Sequence, residues 1–500
     1  MDSAHSGAVA DPDPRPAADR GTTPGGPPGR AVVVGGGISG LAAAHRLTAA
    51  GWRVTLLEAA ARVGGKLHAG EIAGVPVDLG AESVLARRPE AVELARAVGL
   101  GDRLQPPATA TAAVWTGGAL RPMPKGHVMG VPADSASLAG LLSAEGLARI
   151  DRERELPPAD LGEDVAVGRY VADRLGPEVV DRLVEPLLGG VYAGDAYRIS
   201  MRAAVPRLFE FARRTPSLLD AVRAVQDEAR DRRQDGPVFL GIDGGIGTLA
   251  TAVADAVRAA GGELRTGTRA LGLARTADGW RVRTDRDEVL TADAVVLATP
   301  AWSTAELLAA ECPAAAAEIG RIEYASMALI TLAFRRADVE GALPGGSGFL
   351  VPSADAPTIK AATFSARKWR WVDEASAADG LFLLRTSVGR YGDEDHIHRE
   401  DGELVDVSLR DLGTVTGLAA RPVASTVTRW IGGLPQYPVG HPARTARIRA
   451  EVAKLPGLEL CGAAYDGVGI PACVADGRRA ADAITAMPTR ARATGEDAGQ

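Results

Sequence analysis

The sequence predicts an α/β chain whose central unit is a Rossmann-like dinucleotide-binding domain built of discontinuous segments. Three stretches carry this reading. "AVVVGGGISGLAAAHRL", from Ala31, joins a β-branched strand, a glycine turn and an alanine-rich helix. A second buried strand pattern, "ADAVVLATP", returns far downstream. The last structured stretch is strand, loop and helix in "LELCGAAYDGVGIPACVADGRRAADAITAM". Other lobes are therefore expected between the pieces of one sheet.

At 500 residues the chain is too long for one compact domain, and its 46% hydrophobic content supports a large core. A formal net charge of −7 argues against a nucleic-acid binder. The only lysines are Lys66, Lys125, Lys360, Lys368 and Lys454; so arginine-heavy a chain, rich in alanine and glycine, reads as coding bias. Cys312, Cys461 and Cys473 form no CxxC pair, so a reducing, cytoplasmic setting is expected, with no disulfide frame and no metal. No apolar run has the length of a membrane span. Residues 1–29, rich in proline, glycine and acidic side chains, read as a disordered leader rather than a signal peptide, and 488–500 as a frayed tail.

In order, a strand is expected at 32–34, a helix at 40–50 and a strand at 54–57, a compact βαβ unit. Helical spacing recurs at 89–98. The stretch 135–210 is mostly helical and laced with arginine and glutamate, with breaks at Pro157, Pro158 and Pro186. Strands resume around "GGELRTGTRALGL"; the one at 295–298 is ended by Thr299 and Pro300. A mixed, strand-rich region spans 326–430.

G-x-G-x-x-G alone is a weak signal. Here a strand precedes it, a helix follows, and Glu58 ends the next strand. Gly35 permits the tight turn, Gly37 lets backbone approach a diphosphate, and Gly40 lets the helix pack closely on the sheet. Gly36, Ile38 and Ser39 complete the turn. The helix N-terminus offers unpaired N–H groups to phosphate, and Glu58 would accept hydrogen bonds from a ribose.

Just past Glu58 and Ala59 comes "ARVGGKLHA", with Arg62, Gly64, Gly65, Lys66 and Leu67. This E-x-x-x-R-x-G-G-K arrangement resembles the flavoprotein superfamily of amine oxidases and protoporphyrinogen oxidases, in which the segment lies along FAD. The resemblance implies FAD here. It also implies that Gly462, Val468, Gly469 and Ile470 open the last helix toward the flavin pyrimidine edge, that Ala270 brackets adenine, and that Gly80, Ala81, Glu82 and Ser83 run beside the flavin. Ala81 departs from the proline common in relatives.

"EPLLGGVYAGDAYRISMRAAVPRLFEF" (185–211), "PMPKGHVMGVP", "SGFLVP", "TFSARKW", "TRWIGGLPQYPVGH" and "YDGVGIPAC" are similar to segments of the oxygen-dependent protoporphyrinogen and coproporphyrinogen oxidases, most closely the coproporphyrinogen III oxidases of Gram-positive bacteria. The resemblance covers about 30–486. It implies an FAD-binding domain of 30–75, 236–302 and 455–487, a mixed α+β substrate domain of 76–122, 207–235 and 303–454, and a helical, membrane-facing type of domain at 123–206. The implied reaction removes six electrons and six hydrogens from coproporphyrinogen III in three flavin cycles. Each passes a hydride to flavin N5, and O₂ reoxidises the flavin to give H₂O₂.

No residue is assigned as a catalytic acid or base, since hydride goes directly to flavin; a histidine base among His68, His127 and His441 stays open. Arg87 and Arg88 either pair with propionates or form a solvated pair. Leu350 and Trp369 either wall the tetrapyrrole slot or pack the core, and Tyr192 has the same two readings. Lys66 reaches the flavin or points to water. Trp430 abuts the flavin or fills an interlobe core. The expected partners are a porphyrinogen, O₂ and a ferrochelatase, with no nucleic acid and at most peripheral contact at the inner face of the cell membrane. The alternatives are a protoporphyrinogen IX oxidase of the same mechanism, a flavin amine oxidase, and a non-catalytic escort-type binding protein.

Overall fold

The computed structural model describes residues 29–231, 236–339, 341–355 and 357–487. The expected leader lies outside the described residues except for Gly29, and the expected tail lies wholly outside them. Two sheets organise the rest. The first has five parallel strands in the order Glu263–Arg265, Arg53–Leu57, Arg30–Val34, Ala294–Leu297 and Leu458–Leu460. Its centre reads RAVVV and AVVL because both faces are covered, so no polar alternation survives. Val33 and Val296 face a core shared with helices Ile38–Ala49, Gly247–Ala259 and Ile470–Thr485. Val32, Val34 and Val295 face the opposite core, with Trp280 and Tyr465. The first helix starts two residues earlier than expected, because Gly37 rather than a later residue is its N-cap.

The charged stretch forms short helices, among them Ala144–Asp151, Val167–Leu175, Pro206–Ala212 and Leu218–Asp231, around Leu183, Leu188 and Phe209. Glu153 and Arg174 are buried together here. Arg174 Nε donates to Glu153 at 2.7 Å, and Ser217 and Leu218 N–H fill the carboxylate's remaining sites. Pro157 and Pro158 lie outside helix as expected, but Pro186 does not break its helix. The chain runs from Pro177–Val179 through a π-turn at Val180–Val184 into Glu185–Tyr192. The wider turn just before Pro186 accommodates a residue with no N–H to donate.

The second sheet has seven strands, in the order Ala424–Pro435, Tyr324–Arg335, Leu381–Val388, Ala361–Thr363, Gly348–Leu350, Ala113–Thr116 and Ala119–Pro122. All neighbours are antiparallel except Gly348–Leu350 and Ala113–Thr116. One face packs a core of Phe334, Phe349, Phe364 and Trp371. Among the described residues, no helix is long and apolar enough to cross a membrane.

Candidate cofactor and active site

The glycines of the first turn do three separate jobs. Gly35 has φ +106°, and a Cβ there would lie 2.6 Å from the Ala298 carbonyl oxygen. A Cβ on Gly40 would lie 1.9 Å from the Gly35 oxygen. These two are required by the protein's own packing. Gly37 is different: a Cβ there would meet nothing within 4 Å. Its backbone is therefore open to close approach by another group. No side chain caps the helix that begins at Ile38, so the N–H groups of its first turn, including those of Ser39 and Gly40, are free of a cap.

Glu58 stands at the edge of this turn. Its two carboxylate oxygens accept from Gly36 N–H and Ala60 N–H, both at 2.7 Å, and lone pairs remain for a ligand. Ala59 beside it is exposed. Gly64 N–H donates to Gly36 O at 2.7 Å, which ties the 59–67 loop to the glycine turn. Arg62 bonds Gly65 O at 2.9 Å and holds its guanidinium 6.0 Å from the Trp430 ring centroid. Desolvation lowers the Arg62 pKa against the opposing pull of Glu58. Lys66 is exposed, and desolvation by the groups around it lowers its pKa too, so it lies on the floor of this segment rather than free in solvent. Leu67 is buried beneath it. Thr268 N–H donates to Glu58 O and Gly267 N–H to Ala60 O, which brings Ala270 alongside.

The 80–83 loop closes over this floor. Ala81 N–H donates to Lys66 O at 3.1 Å. A Cβ on Gly80 would lie 2.1 Å from that same oxygen and 3.1 Å from the Trp430 ring. Trp430 Nε1 donates to Leu79 O at 3.2 Å, so the indole is seated on the loop. Ser83 is half-buried. Glu82 turns the other way. Its carboxylate pairs with Lys368 and, at 3.1 Å, with Arg385 of the second sheet. Burial alone would raise its pKa; Arg385 and Lys368 outweigh this and hold it below the usual glutamate value. Only its backbone is left to meet a ligand.

The last helix arrives beside the first. A Cβ on Gly477 would lie 2.2 Å from Ser39 O, so the middle of the last helix packs against the N-terminal turn of the first. Its N-cap, Gly469, also carries no side-chain cap. Gly462, at φ +137°, opens onto empty space and is anchored by donating to Asp476 at 2.9 Å. Val468 is half-buried and Ile470 buried. Burial raises the Cys473 pKa, with opposing contributions from Ser39, Lys66 and Arg88, which locates all three near the start of this helix. Segments hundreds of residues apart thus meet at one site.

The substrate candidates divide. Arg87 and Arg88 are exposed, and Arg88 pairs with Glu90 at 2.6 Å. Leu350 is half-buried on the second sheet. Trp369 is 1% exposed, with its ring packed under Gly241, which favours the core packing of its two readings. Tyr192 is buried 5.9 Å from the Tyr437 ring, and burial pushes its pKa up to about 12. His441 stacks on Tyr437 at 3.9 Å, and burial pushes its pKa down to about 4. Tyr437 in turn donates to Ala463 O and accepts from Gly467 N–H, holding the loop before the last helix. Lys368, Arg385, Tyr437 and Asp476 are the positioning residues that sequence reasoning missed. Lys368 and Tyr437 lay inside quoted motifs, but nothing local marks their partners.

The residues present fit a flavin dinucleotide: two uncapped helix starts, an acceptor at Glu58, and glycines with open space at Gly37 and Gly462. The family described as flavin containing amine oxidoreductase matches residues 38–485. The coproporphyrinogen III oxidase of Mycobacterium tuberculosis (strain ATCC 25618 / H37Rv) is 40% identical over 91% of this chain and 97% of its own. The protoporphyrinogen oxidase of Homo sapiens is 30% identical over 91% and 98%. A crystal structure from Exiguobacterium sp. 255-15, provisionally named a protoporphyrinogen oxidase, superposes with TM-score 0.80 at 33% identity, covering 91% of this chain and 98% of its own. The chain belongs to the flavin-containing amine oxidoreductase family, in the group that holds the porphyrinogen oxidases, and its cofactor is FAD.

Proposed function

We propose that this chain oxidises coproporphyrinogen III to coproporphyrin III, with O₂ as the final acceptor and H₂O₂ as its product. The observation that carries the choice is the 40% identity to a coproporphyrinogen III oxidase across nearly its whole length, against 30% to a protoporphyrinogen oxidase. Bound FAD supplies the two-electron acceptor that O₂ regenerates. The chain's own residues bind and orient. The amides at 37–40 hold the diphosphate, Glu58 the adenosine ribose, and Ala270 the adenine side. The 80–83 backbone and Trp430 flank the ring system, and the end of the last helix, at Gly469 and Ile470, meets its far edge. Arg87 and Arg88, both exposed, are the cations offered to propionates of an entering tetrapyrrole.

The lobes follow from this. The segments 30–75, 236–302 and 455–487 carry the cofactor; 76–122, 207–235 and 303–454 carry the substrate face; and 123–206 caps the slot. Product hand-over to a ferrochelatase, and a peripheral seat on the inner face of the membrane, extend the proposal. Co-sedimentation with vesicles and with a ferrochelatase tests each.

The decisive experiment is side-by-side oxidation of coproporphyrinogen III and protoporphyrinogen IX by the yellow holoenzyme, read as product fluorescence. Faster turnover of coproporphyrinogen is expected. Faster turnover of protoporphyrinogen would sink the substrate assignment.

A further inference from the structure

Lys360 is a buried cation that the proposed chemistry leaves unused. It is 7% exposed. Its ammonium donates to Gly389 O at 2.9 Å and stands 3.8 Å from Met327 Sδ. Among the described residues no carboxylate lies within ion-pair distance of it. The acid nearby, Glu185, is already engaged: one oxygen meets Arg390 Nε at 3.3 Å and the other accepts Ser353 N–H at 3.0 Å. Arg390 also donates to Val351 O at 2.7 Å. Glu185 therefore pairs with Arg390 first, and among the described residues no ion pair is left for Lys360. A buried charge in that condition is costly to keep. Burial, aided by Arg390 and opposed by Glu185, draws the Lys360 pKa down to about 7. Arginine dominates the cations of this chain, yet this position holds a compact ammonium with freely rotating donors.

Its location says what could answer the charge. Met327 is the cross-strand partner of Trp430, so the two side chains emerge on one face of the second sheet, the face seated on the 80–83 loop. Arg385, on strand Leu381–Val388, grips Gly80 O at 2.8 Å. Gly389, which accepts from Lys360, lies four residues further along, about 13 Å of extended chain. Lys360 N–H and C=O also pair with Ser387 and Val351, next to Leu350. The ammonium thus sits in the Met327–Trp430 row of this face, two strands in from Trp430, with Glu185 at the start of the helix Glu185–Tyr192 as the nearby acid.

We propose that Lys360 is a carboxylate-binding site at the inner end of the substrate slot, taking a propionate of a tetrapyrrole that carries carboxylates on both sides. The inference rests on the porphyrinogen reading above and deepens it. A tetracarboxylate reaches the rim arginines and Lys360 together; a dicarboxylate with its acids on one side engages the rim alone.

The test is equilibrium binding of coproporphyrin III and of protoporphyrin IX to the flavin-loaded enzyme, followed by porphyrin fluorescence, for wild type and Lys360→Met. Flavin content and Tm are checked first; if Met fails to retain flavin, Lys360→Gln carries the same comparison. Loss of one charged hydrogen bond raises the coproporphyrin Kd about 10- to 100-fold, with protoporphyrin unchanged. In turnover the same variant raises KM for coproporphyrinogen while kcat holds. Lys360→Arg restores part of the affinity, which a purely structural lysine would not require. Equal weakening of both porphyrins, or no weakening of either, overturns the site. If wild type binds selectively but oxidises neither porphyrinogen, the site stands and the proposed reaction fails.

Discussion

The cofactor cradle and the substrate face are built by opposite means. The part of the cradle at 35–67 is made mostly of backbone: glycines, one uncapped helix start and one carboxylate, drawn from a single continuous stretch. The proposed substrate face is made of side chains from distant strands, with Met327, Leu350, Arg385 and Trp430 brought together by sheet register. Backbone chemistry is set by neighbours in sequence. Side-chain chemistry across a sheet is set by pairing, and a one-residue slip would move each of these groups to the other face.

That contrast can be broken at several points. The largest effect is expected from Gly40→Ala, whose Cβ meets the Gly35 oxygen at 1.9 Å. The turn cannot yield there, so about 3 kcal/mol or more is lost, and the protein is expected to be poorly soluble and colourless. Next is Glu82→Gln. It leaves Lys368 and Arg385 facing a neutral amide in a buried site, at about 3–5 kcal/mol, measured as a fall in the urea midpoint; an unchanged midpoint would show that the interlobe ions contribute nothing.

His441 gives the pH test. Its folded pKa of about 4 lies below the ordinary 6.5, so the unfolded chain binds the extra proton between those values. Stability is therefore full above pH 6.5 and declines toward pH 4, by about 3 kcal/mol. His441→Asn should flatten that slope in urea titrations across the interval.

The smallest effects on the fold, and the sharpest on ligand binding, come from the cradle. Gly37→Ala has room for its methyl and a φ of −67° that alanine accepts, so Tm of the apoprotein should hold. Flavin affinity should fall about 10- to 100-fold, since the methyl fills the ligand's space. Glu58→Gln should weaken FAD by about 10-fold through loss of a charged acceptor. Both are read by flavin fluorescence titration. If Gly37→Ala binds FAD normally, the cradle lies elsewhere.

Which residues announced themselves follows the same division. The first βαβ unit and the last helix were legible, because a buried strand, a glycine turn and a helix are each encoded within a dozen residues. The roles of Trp369 and Glu82 were not. Both lie in motifs that resemble a tetrapyrrole slot or a flavin loop. The structure turns one into the core under Gly241 and the other toward Lys368 and Arg385. Pro186 read as a helix break because propensity is local, whereas a π-turn carries the helix through it.

The sequence by itself determined the dinucleotide turn, the acceptor at Glu58 and the strand–loop–helix that ends the fold, since hydrogen-bonding geometry over a few residues allows little else. Only the tertiary structure decided which charges meet: Glu82 with Lys368 and Arg385, and Glu185 with Arg390, while among the described residues Lys360 forms no ion pair. Charge pairing depends on distances between strands far apart in the chain, and no local pattern of residues carries that information.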